Sequence, residues 1–160
     1  GQVTQDGLTG LNNRRRLDQY MWELDERSGE RETCCYLLMD VNKFKKVNDT
    51  YGHVTGDEVL RLVAEQLKRT FGNMQAFLAR YGGDEFVVIV KGKTQDEMDV
   101  IIHQTQENVN AIAWGADTPW QLSISIGCAM RGEQGKQKSH ELLALADERM
   151  YRQKKGIQDR

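Results

Sequence analysis

Residues 80–86 place two glycines and two adjacent carboxylates between two apolar segments, in the order Arg80-Tyr81-Gly82-Gly83-Asp84-Glu85-Phe86. The apolar runs 76–79 and 86–90 on either side predict a β-hairpin with a two-residue turn, because glycine adopts positive φ without a steric penalty and lets a ligand approach the backbone. Asp84 and Glu85 would then stand at the mouth of a buried sheet. Adjacent anions repel there unless a cation holds them, and a divalent metal ion is the natural candidate.

A second acid, Asp40, ends the apolar run 34–39, which predicts a central strand buried on both faces. Asp40 and Asp84 would therefore meet at one edge of the same sheet. Two carboxylates, a backbone carbonyl and substrate phosphates suit Mg²⁺, which prefers oxygen ligands and often takes some from its substrate. This combination predicts phosphoryl transfer. The alternative is a solvated acid at each strand end, which alone would explain Asp40 but not the Gly-Gly-Asp-Glu turn.

The stretch from Asp40 to Asp57 carries further polar candidates. It begins like a calcium-binding EF-hand loop, but Phe44 occupies a ligand position, Lys45 replaces the required glycine and Tyr51 replaces the final Glu. The chain also has no Walker A motif and no Gly-x-Gly-x-x-Gly. We expect phosphates to meet backbone N–H groups of a short turn after Asp40 instead, with Lys45 beside them.

Asn48 and Asp57 form a candidate pair for reading a base. A carboxylate can accept hydrogen bonds from N1–H and the 2-amino group of guanine, while an amide serves the remaining edge. The structural alternative makes Asn48 and Asp49 turn formers and Asp57 the acidic residue of a helix N-terminus. Both interpretations are open at this stage.

Composition fits a single domain over residues 1–160, with 39% hydrophobic and 29% charged residues. A net charge of −2 argues against the basic surface that a nucleic-acid polymer requires. No apolar run approaches the roughly 18 residues of a membrane span. We therefore expect a cytoplasmic domain without direct membrane insertion. Because the chain begins almost directly in a motif, we also expect an upstream sensory region, which could attach the full-length protein to a membrane.

The three cysteines, Cys34, Cys35 and Cys128, lie in apolar, strand-like runs and form no Cys-x-x-Cys pair. This pattern is typical of reduced core cysteines. Their spacing relative to the three histidines does not suit zinc.

Apolar periodicity predicts four helices, each with a start signal: Asn12-Asn13, the capping-box spacings of residues 55–58 and 94–97, and Ser139. Residues 120–130 alternate, with Leu122, Ile124, Ile126 and Cys128 on one side, which predicts a half-buried strand. The order helix, strand, helix, hairpin, helix, strand, helix predicts an α/β (α+β) sandwich, in which a mixed central sheet of about five strands has helices packed around it.

Four ordered motifs give the chain a family resemblance. They are residues 6–15, residues 40–57 with the pattern Phe-Lys-x-x-Asn-Asp-x-x-Gly-His-x-x-Gly-Asp, residues 80–86, and residues 146–154 with Ala-Asp-Glu-x-Met-Tyr-x-x-Lys. Over nearly the whole chain they resemble the GGDEF diguanylate cyclases, more specifically than the five-letter signature alone. The resemblance implies a fold similar to nucleotidyl cyclase and polymerase palm domains. It also implies the condensation of two GTP into cyclic di-GMP with release of pyrophosphate.

The resemblance implies a metal site and catalytic residues. Asp40, the Val41 carbonyl and Asp84 would bind Mg²⁺, for which Mn²⁺ can substitute. Asp84 would be the proton acceptor and Lys45 the charge partner of the transition state, while Glu85 is a weaker acceptor candidate or orients the metal ligands. The 3′-hydroxyl of one GTP would attack the α-phosphorus of the other. Because the product is two-fold symmetric, two sites must face each other in a homodimer, and a monomer would be nearly inactive.

A larger set of residues would bind GTP by the same resemblance. Asn48 and Asp57 would contact guanine, and Leu11 and Leu60 would line its pocket. His53 belongs to the substrate-binding set through the matching Gly-His element. The phosphate contacts would be Lys43, Phe44, Lys45 and Lys154, and the signature turn would contribute Arg80, Gly82 and Gly83.

The chain departs from the family pattern at three places. Asn73-Met74-Gln75-Ala76 replaces an inhibitory Arg-x-x-Asp, so product inhibition at that place should be absent or weak. Asn42 stands where Asp is common, which would weaken one metal contact. The end of the last motif, residues 154–157, lacks the Gly-Arg that often follows, which puts one phosphate contact in doubt.

Two other functions remain open. One is a catalytically silent GGDEF module that binds GTP or a protein partner and regulates an attached domain. The other is a different nucleotidyl cyclase or a polymerase-like transferase. The retained acids and Lys45 favour catalysis, and the pair Asn48 and Asp57 favours guanine.

Overall fold

The computed structural model describes residues 3–27, 32–115 and 120–158. Its strands form one sheet in the order β2-β3-β1-β4, with β1 at Cys34–Val41, β2 at Ala76–Arg80, β3 at Glu85–Lys91 and β4 at Ile124–Met130. All pairings between these strands are antiparallel. The α/β class is confirmed, but the mixed sheet of about five strands is wrong, since the described residues form four antiparallel strands. Helical connections permit either strand direction, so the apolar pattern did not specify it.

The helices are α1 (Arg14–Glu26), α2 (Phe44–Tyr51), α3 (His53–Phe71), α4 (Gln95–Asn110) and α5 (Ser139–Gln158). Three predicted starts are confirmed. The Asn13 side chain caps α1 by accepting from the Arg16 N–H at 3.0 Å. Thr94 and Glu97 form a complete capping box on α4, and α5 begins at Ser139.

The start predicted for the second helix is wrong. Residues 55–58 lie inside α3, which begins at His53, and the short helix α2 precedes it. Gly52 separates the two helices with a φ of 89°, a conformation that glycine adopts without strain. The sequence pattern did not predict helix α2, because Val47 is its only buried residue and one apolar position creates no helical periodicity.

Two hydrophobic layers flank the sheet, and alternate residues of each strand face opposite layers. Leu37 and Met39 of β1 pack into the layer that contains α3 and α4. Tyr36 and Leu38 face the other layer, which contains α1 and α5. The central strand is thus buried on both faces, as predicted.

Strand β4 is not half-buried, which corrects the prediction for residues 120–130. Ser125 is fully buried, and a Cβ added at Gly127 would overlap the Ala146 carbonyl oxygen. Small residues alternate with large ones here because helix α5 lies directly against this face.

Cys34 and Cys35 are buried in the core and Cys128 is half-buried, as the apolar runs predicted. Among the described residues, no helix combines the length and apolarity needed to span a membrane.

Candidate active site

The signature residues connect β2 to β3 through residues 81–84, so the predicted hairpin is confirmed and the two-residue turn is wrong. The N–H groups of Tyr81 and Gly82 both donate to the Glu85 carbonyl, at 2.8 and 3.4 Å. Neither Gly82 nor Gly83 has a positive φ, because a four-residue loop closes without one. A Cβ at Gly83 would meet no atom within 4 Å, so the backbone there is open to a ligand.

Arg80 holds this loop in place. Its Nη2 donates to the Gly83 carbonyl at 2.7 Å, and its Nε lies 3.3 Å from the Gly82 carbonyl. Its Nη1 donates to Asp6 at 3.2 Å, in an ion pair whose side chains are only 20% and 19% exposed. Arg80 therefore braces the loop against the N-terminal segment.

Asp6 is a site residue to which the sequence assigned no role. Its carboxylate accepts from the Thr9 N–H at 2.9 Å and from the Thr9 hydroxyl at 2.8 Å. Burial alone would raise the pKa of Asp6, but these hydrogen bonds and the Arg80 guanidinium lower it, so the acid is ionised at neutral pH. The Asp-x-x-Thr spacing was the available signal, since such acids cap their own turns.

Asp40 and Asp84 come together at the edge of the sheet, as predicted. Asp40 is opposite Glu85 in the β1–β3 register, and the Val41 N–H donates to the Asp84 carbonyl at 3.2 Å. Burial and the neighbouring Asp40 carboxyl raise the pKa of Asp84 to about 6. Two carboxyl groups that repel each other when both are ionised therefore lie at this edge, and a bound cation would reduce their repulsion.

The two carboxylate oxygens of Asp40 have different surroundings. The Lys154 Nζ donates to Asp40 Oδ2 at 2.9 Å, with side chains 23% and 14% exposed. Asp40 Oδ1 is buried and has no hydrogen-bond partner in the described part of the chain. Unpaired buried carboxylate oxygens are costly, so this atom is suited to a metal ligand role.

The donor set fits Mg²⁺ in chemistry though it is small. No group of three or more His, Cys, Asp or Glu residues gathers within the described ranges. A hard cation would therefore take Asp40 and Asp84, the Val41 carbonyl, water and substrate phosphates. Mg²⁺ commonly binds through one or two carboxylates with phosphates in this way.

A cavity of about 390 Å³ lies beside the acid pair. Its lining combines the predicted metal ligand Asp84 with most of the residues predicted to bind GTP: Phe44, Lys45, Asn48, Asp57, Leu60, Arg80 and Gly83. The Lys45 side chain is 92% exposed, and the distance of 4.0 Å from its Nζ to Asp49 makes this a long, weak ion pair. It is therefore free to turn towards an anion.

Other predicted residues lie outside the lining of this cavity. Leu11 is 4% exposed and packs in the same core cluster as Leu60. His53 is the exposed first residue of α3, and Lys43 immediately precedes α2 with a φ of 57°. Gly82 lines a small neighbouring cavity with Asp6, Asn13, Arg14, Arg80, Tyr81 and Gly83.

Glu85 points away from the cavity. It lines a groove of about 690 Å³ on the other side of the signature loop, between α1 and α5. Burial, followed by the charges of Asp40 and Asp147, raises its pKa. Glu85 is therefore placed beside the acid pair rather than beside the candidate nucleotide pocket.

Gly56 shapes the cavity through close packing. A Cβ there would overlap the Asn48 Oδ1 and lie 3.3 Å from Phe44 Cζ. Only glycine lets the Asn48 side chain rest against α3 at this place. The glycine of the Gly-Asp pair in the second motif is thus required for steric reasons, which the sequence pattern did not indicate.

Replacing Gly56 with Ala is expected to displace the Asn48 amide. For the GTP substrate that the family resemblance implies, KM should rise by about tenfold, the cost of one lost hydrogen bond to a base. Measuring initial rates against GTP concentration tests this. Ala substitution at Gly7, where a Cβ meets nothing within 4 Å, is the control and should leave KM within about twofold. An unchanged KM in the Gly56→Ala protein would contradict the packing argument.

The family model of the diguanylate cyclase GGDEF domain matches residues 3–160, and the chain belongs to this family. "Probable diguanylate cyclase DgcI" of Escherichia coli K12 is 38% identical over 156 residues, which cover 94% of this chain and 31% of that protein. "Probable diguanylate cyclase DgcC" of the same strain is 32% identical, over 98% of this chain and 42% of that protein. The chain thus spans less than half the length of these curated relatives.

The fold is also that of a solved GGDEF domain. The crystal structure of the GGDEF domain of DgcB from Caulobacter crescentus, in complex with c-di-GMP, superposes with a TM-score of 0.84 at 30% identity. The match covers 98% of this chain and 92% of that one.

Proposed function

We propose that this domain is a diguanylate cyclase, which condenses two GTP into cyclic di-GMP and releases two pyrophosphates. The observation that carries the proposal is the position of Asp84, which lines the same cavity as Asn48, Asp57 and Lys45 and has the Asp40 carboxyl beside it. Family membership supports the same activity.

In this proposal one GTP occupies the cavity. Asn48 and Asp57 hydrogen-bond the guanine edge, and Leu60 forms the apolar contact beneath it. The α2 N-terminus and Lys45 receive the phosphates, because helix N–H groups and cations favour anions. Asp84 would serve both as a metal ligand and as the acceptor of the proton of an attacking 3′-hydroxyl.

Bound Mg²⁺ would neutralise charge that develops on the α-phosphate, and Mn²⁺ can replace it. The chain contributes Asp40 Oδ1, Asp84 and the Val41 carbonyl to hold it. Lys154 now donates to Asp40. We propose that it moves to a phosphate when the nucleotide and metal bind, since the metal then satisfies Asp40.

The cavity is at the small end of the usual range for ligand sites, so each subunit would hold one GTP. The second GTP must then come from a second copy, in a two-fold homodimer. The curated relatives are longer than this chain, and we propose that an upstream sensory region controls this pairing.

The proposal is tested by incubating concentrated protein with Mg²⁺ and GTP, then with ATP, and separating the products by chromatography. Cyclic di-GMP should form from GTP only, with a specific activity that rises with protein concentration. GTP binding without product would identify the silent module instead. A cyclic adenine product would reject the guanine assignment.

Feedback through the segment 73–76 is expected to be absent. This segment lies between α3 and β2, at the opposite end of β2 from Arg80, and offers neither a guanidinium nor a carboxylate. Adding cyclic di-GMP at micromolar concentrations should leave the initial rate unchanged. An Asn73→Ala variant should respond identically, whereas inhibition relieved by that substitution would contradict the expectation.

A further inference from the structure

Asn42 lies next to the proposed metal site, yet its side chain is fully engaged elsewhere. It is 6% exposed. Its Nδ2 donates to the Ser123 hydroxyl at 2.9 Å, and its Oδ1 accepts from the Ser125 hydroxyl at 2.7 Å. Its backbone N–H also donates to the Ser123 carbonyl at 2.9 Å. Both ends of the amide are therefore satisfied by the β4 side of the sheet, and Ser125 is itself 0% exposed.

The turn that follows Asn42 carries backbone strain. Lys43 has a φ of 57° and a ψ of 28°, the left-handed region, and no side chain caps the N-terminus of α2 after it. Such a conformation is strained for a non-glycine residue and persists only where the surroundings enforce it. The contacts of the residues next to Lys43 must supply this constraint.

The structure shows two such constraints before Lys43. The Val41 N–H is held by the Asp84 carbonyl on the β3 side. Residue 42 is held by Ser123 and Ser125 on the β4 side. The next residues, Phe44 and Lys45, line the candidate nucleotide cavity, so the direction of α2 depends on this anchorage.

We propose that Asn42, through Ser123 and Ser125, is a positioning residue for the reaction. It fixes the turn 41–44 so that the Val41 carbonyl faces the metal position and the first N–H groups of α2 face the triphosphate. It does not touch the substrate. The inference rests on the proposed function for its catalytic consequence, but the anchorage itself can be measured without turnover.

The test compares three variants with the unaltered protein. Asn42→Ala removes both side-chain hydrogen bonds, and Ser125→Ala removes one. Asn42→Asp keeps the acceptor oxygen for Ser125 and replaces the Nδ2 donor with a second oxygen, to which the Ser123 hydroxyl can donate by rotating. Thr105→Ala is the matched control, because Thr105 is 1% exposed and its hydroxyl donates to the Ile101 carbonyl at 2.7 Å in α4, away from the cavity.

A positioning role predicts a fall in kcat of about 30-fold for Asn42→Ala and about fivefold for Ser125→Ala, since small misplacements of binding groups cost up to about 10²-fold. Asn42→Asp should retain kcat within about threefold. Thr105→Ala should lower Tm as Asn42→Ala does, but change kcat by less than twofold. If Asn42→Ala and Thr105→Ala lost kcat equally, measured well below the Tm of each variant, the proposal would be overturned.

Amide hydrogen exchange separates the inference from the proposed function. Exchange at the hydrogen-bonded amides of Val41, Asn42 and Val47, which donate to the carbonyls of Asp84, Ser123 and Lys43, should accelerate at least tenfold in Asn42→Ala and remain unchanged in Thr105→Ala, because only the first loosens the turn. If the unaltered protein makes no cyclic di-GMP but exchange accelerates in Asn42→Ala and not in Thr105→Ala, the cyclase proposal fails and the anchorage stands. If exchange at the turn is unchanged, the anchorage fails whatever the activity. Should Asn42→Ala not fold, Ser125→Ala decides by the same two measurements.

Discussion

Replacing Asp84 with Asn is expected to reduce cyclic di-GMP formation by at least about 10³-fold, the effect of removing a group that stabilises charge in the transition state. The substitution preserves shape but removes the negative charge that would hold Mg²⁺ with Asp40 and accept the proton of the 3′-hydroxyl. Chromatographic quantification of product from GTP and Mg²⁺ measures the effect. Activity above a tenth of the unaltered rate would reject the acid pair as the centre of the site.

Asp99→Asn is the matched control for this charge removal. Asp99 is an exposed acid on α4, and its side chain accepts from the Gln95 side chain at 2.9 Å. Its replacement should leave the rate within about twofold. A comparable loss in both variants would mean that net charge, rather than the position of Asp84, controls activity.

The same substitution should change the pH dependence of stability. Burial and Asp40 raise the pKa of Asp84 from 3.8 to about 6, so between these values the folded protein binds a proton that the unfolded chain releases. The contribution of Asp84 to stability is therefore greatest below about pH 4 and is lost as the pH rises through 6. Without divalent metal, Asp84→Asn should have a higher Tm than the unaltered protein above pH 6, and the difference should narrow towards pH 4.

Mg²⁺ provides the complementary measurement. It should raise the Tm of the unaltered protein above pH 6, where Asp84 is ionised, and less at pH 5, where a proton competes with the metal. The Asp84→Asn protein should show little of this increase. An equal Mg²⁺ effect in both proteins would place the metal elsewhere.

Replacing Gly127 with Ala is expected to lower the free energy of unfolding by about 3 kcal/mol, the upper range for overpacking a core. The added Cβ would overlap the Ala146 carbonyl oxygen, and the α5 backbone cannot move aside without leaving β4. Because α5 also carries Lys154, the bond to Asp40 should be disturbed as well. Urea unfolding measures the loss.

Gly156→Ala is the control on the same helix. A Cβ at Gly156 meets nothing within 4 Å, and alanine favours an exposed helical position over glycine by about 0.5–1 kcal/mol. This variant should therefore unfold at slightly higher urea. If Gly127→Ala is as stable as Gly156→Ala, α5 does not exclude a Cβ at position 127, and the packing argument is contradicted.

Local signals predicted the elements well where the interaction lies within a few residues. The caps at Asn13 and Thr94 were found because each side chain bonds an N–H three residues away. The continuous apolar run of β1 showed burial on both faces. By contrast, α2 has one buried residue and the α3 start depends on the backbone of Gly52, so neither left a pattern in apolar spacing.

Residue types and order by themselves determined the family, the paired acids at two strand ends and most of the cavity lining, because these follow from motifs and strand periodicity. Only the tertiary structure decided which distant groups meet. Arg80 bonds Asp6, 74 residues away, and Asn42 turns to Ser125, 83 residues away. It also decided the antiparallel order and the loop length at Gly82 and Gly83. Hydrogen bonds and steric contacts across such separations depend on how whole elements pack, and a sequence pattern of short period carries no record of them.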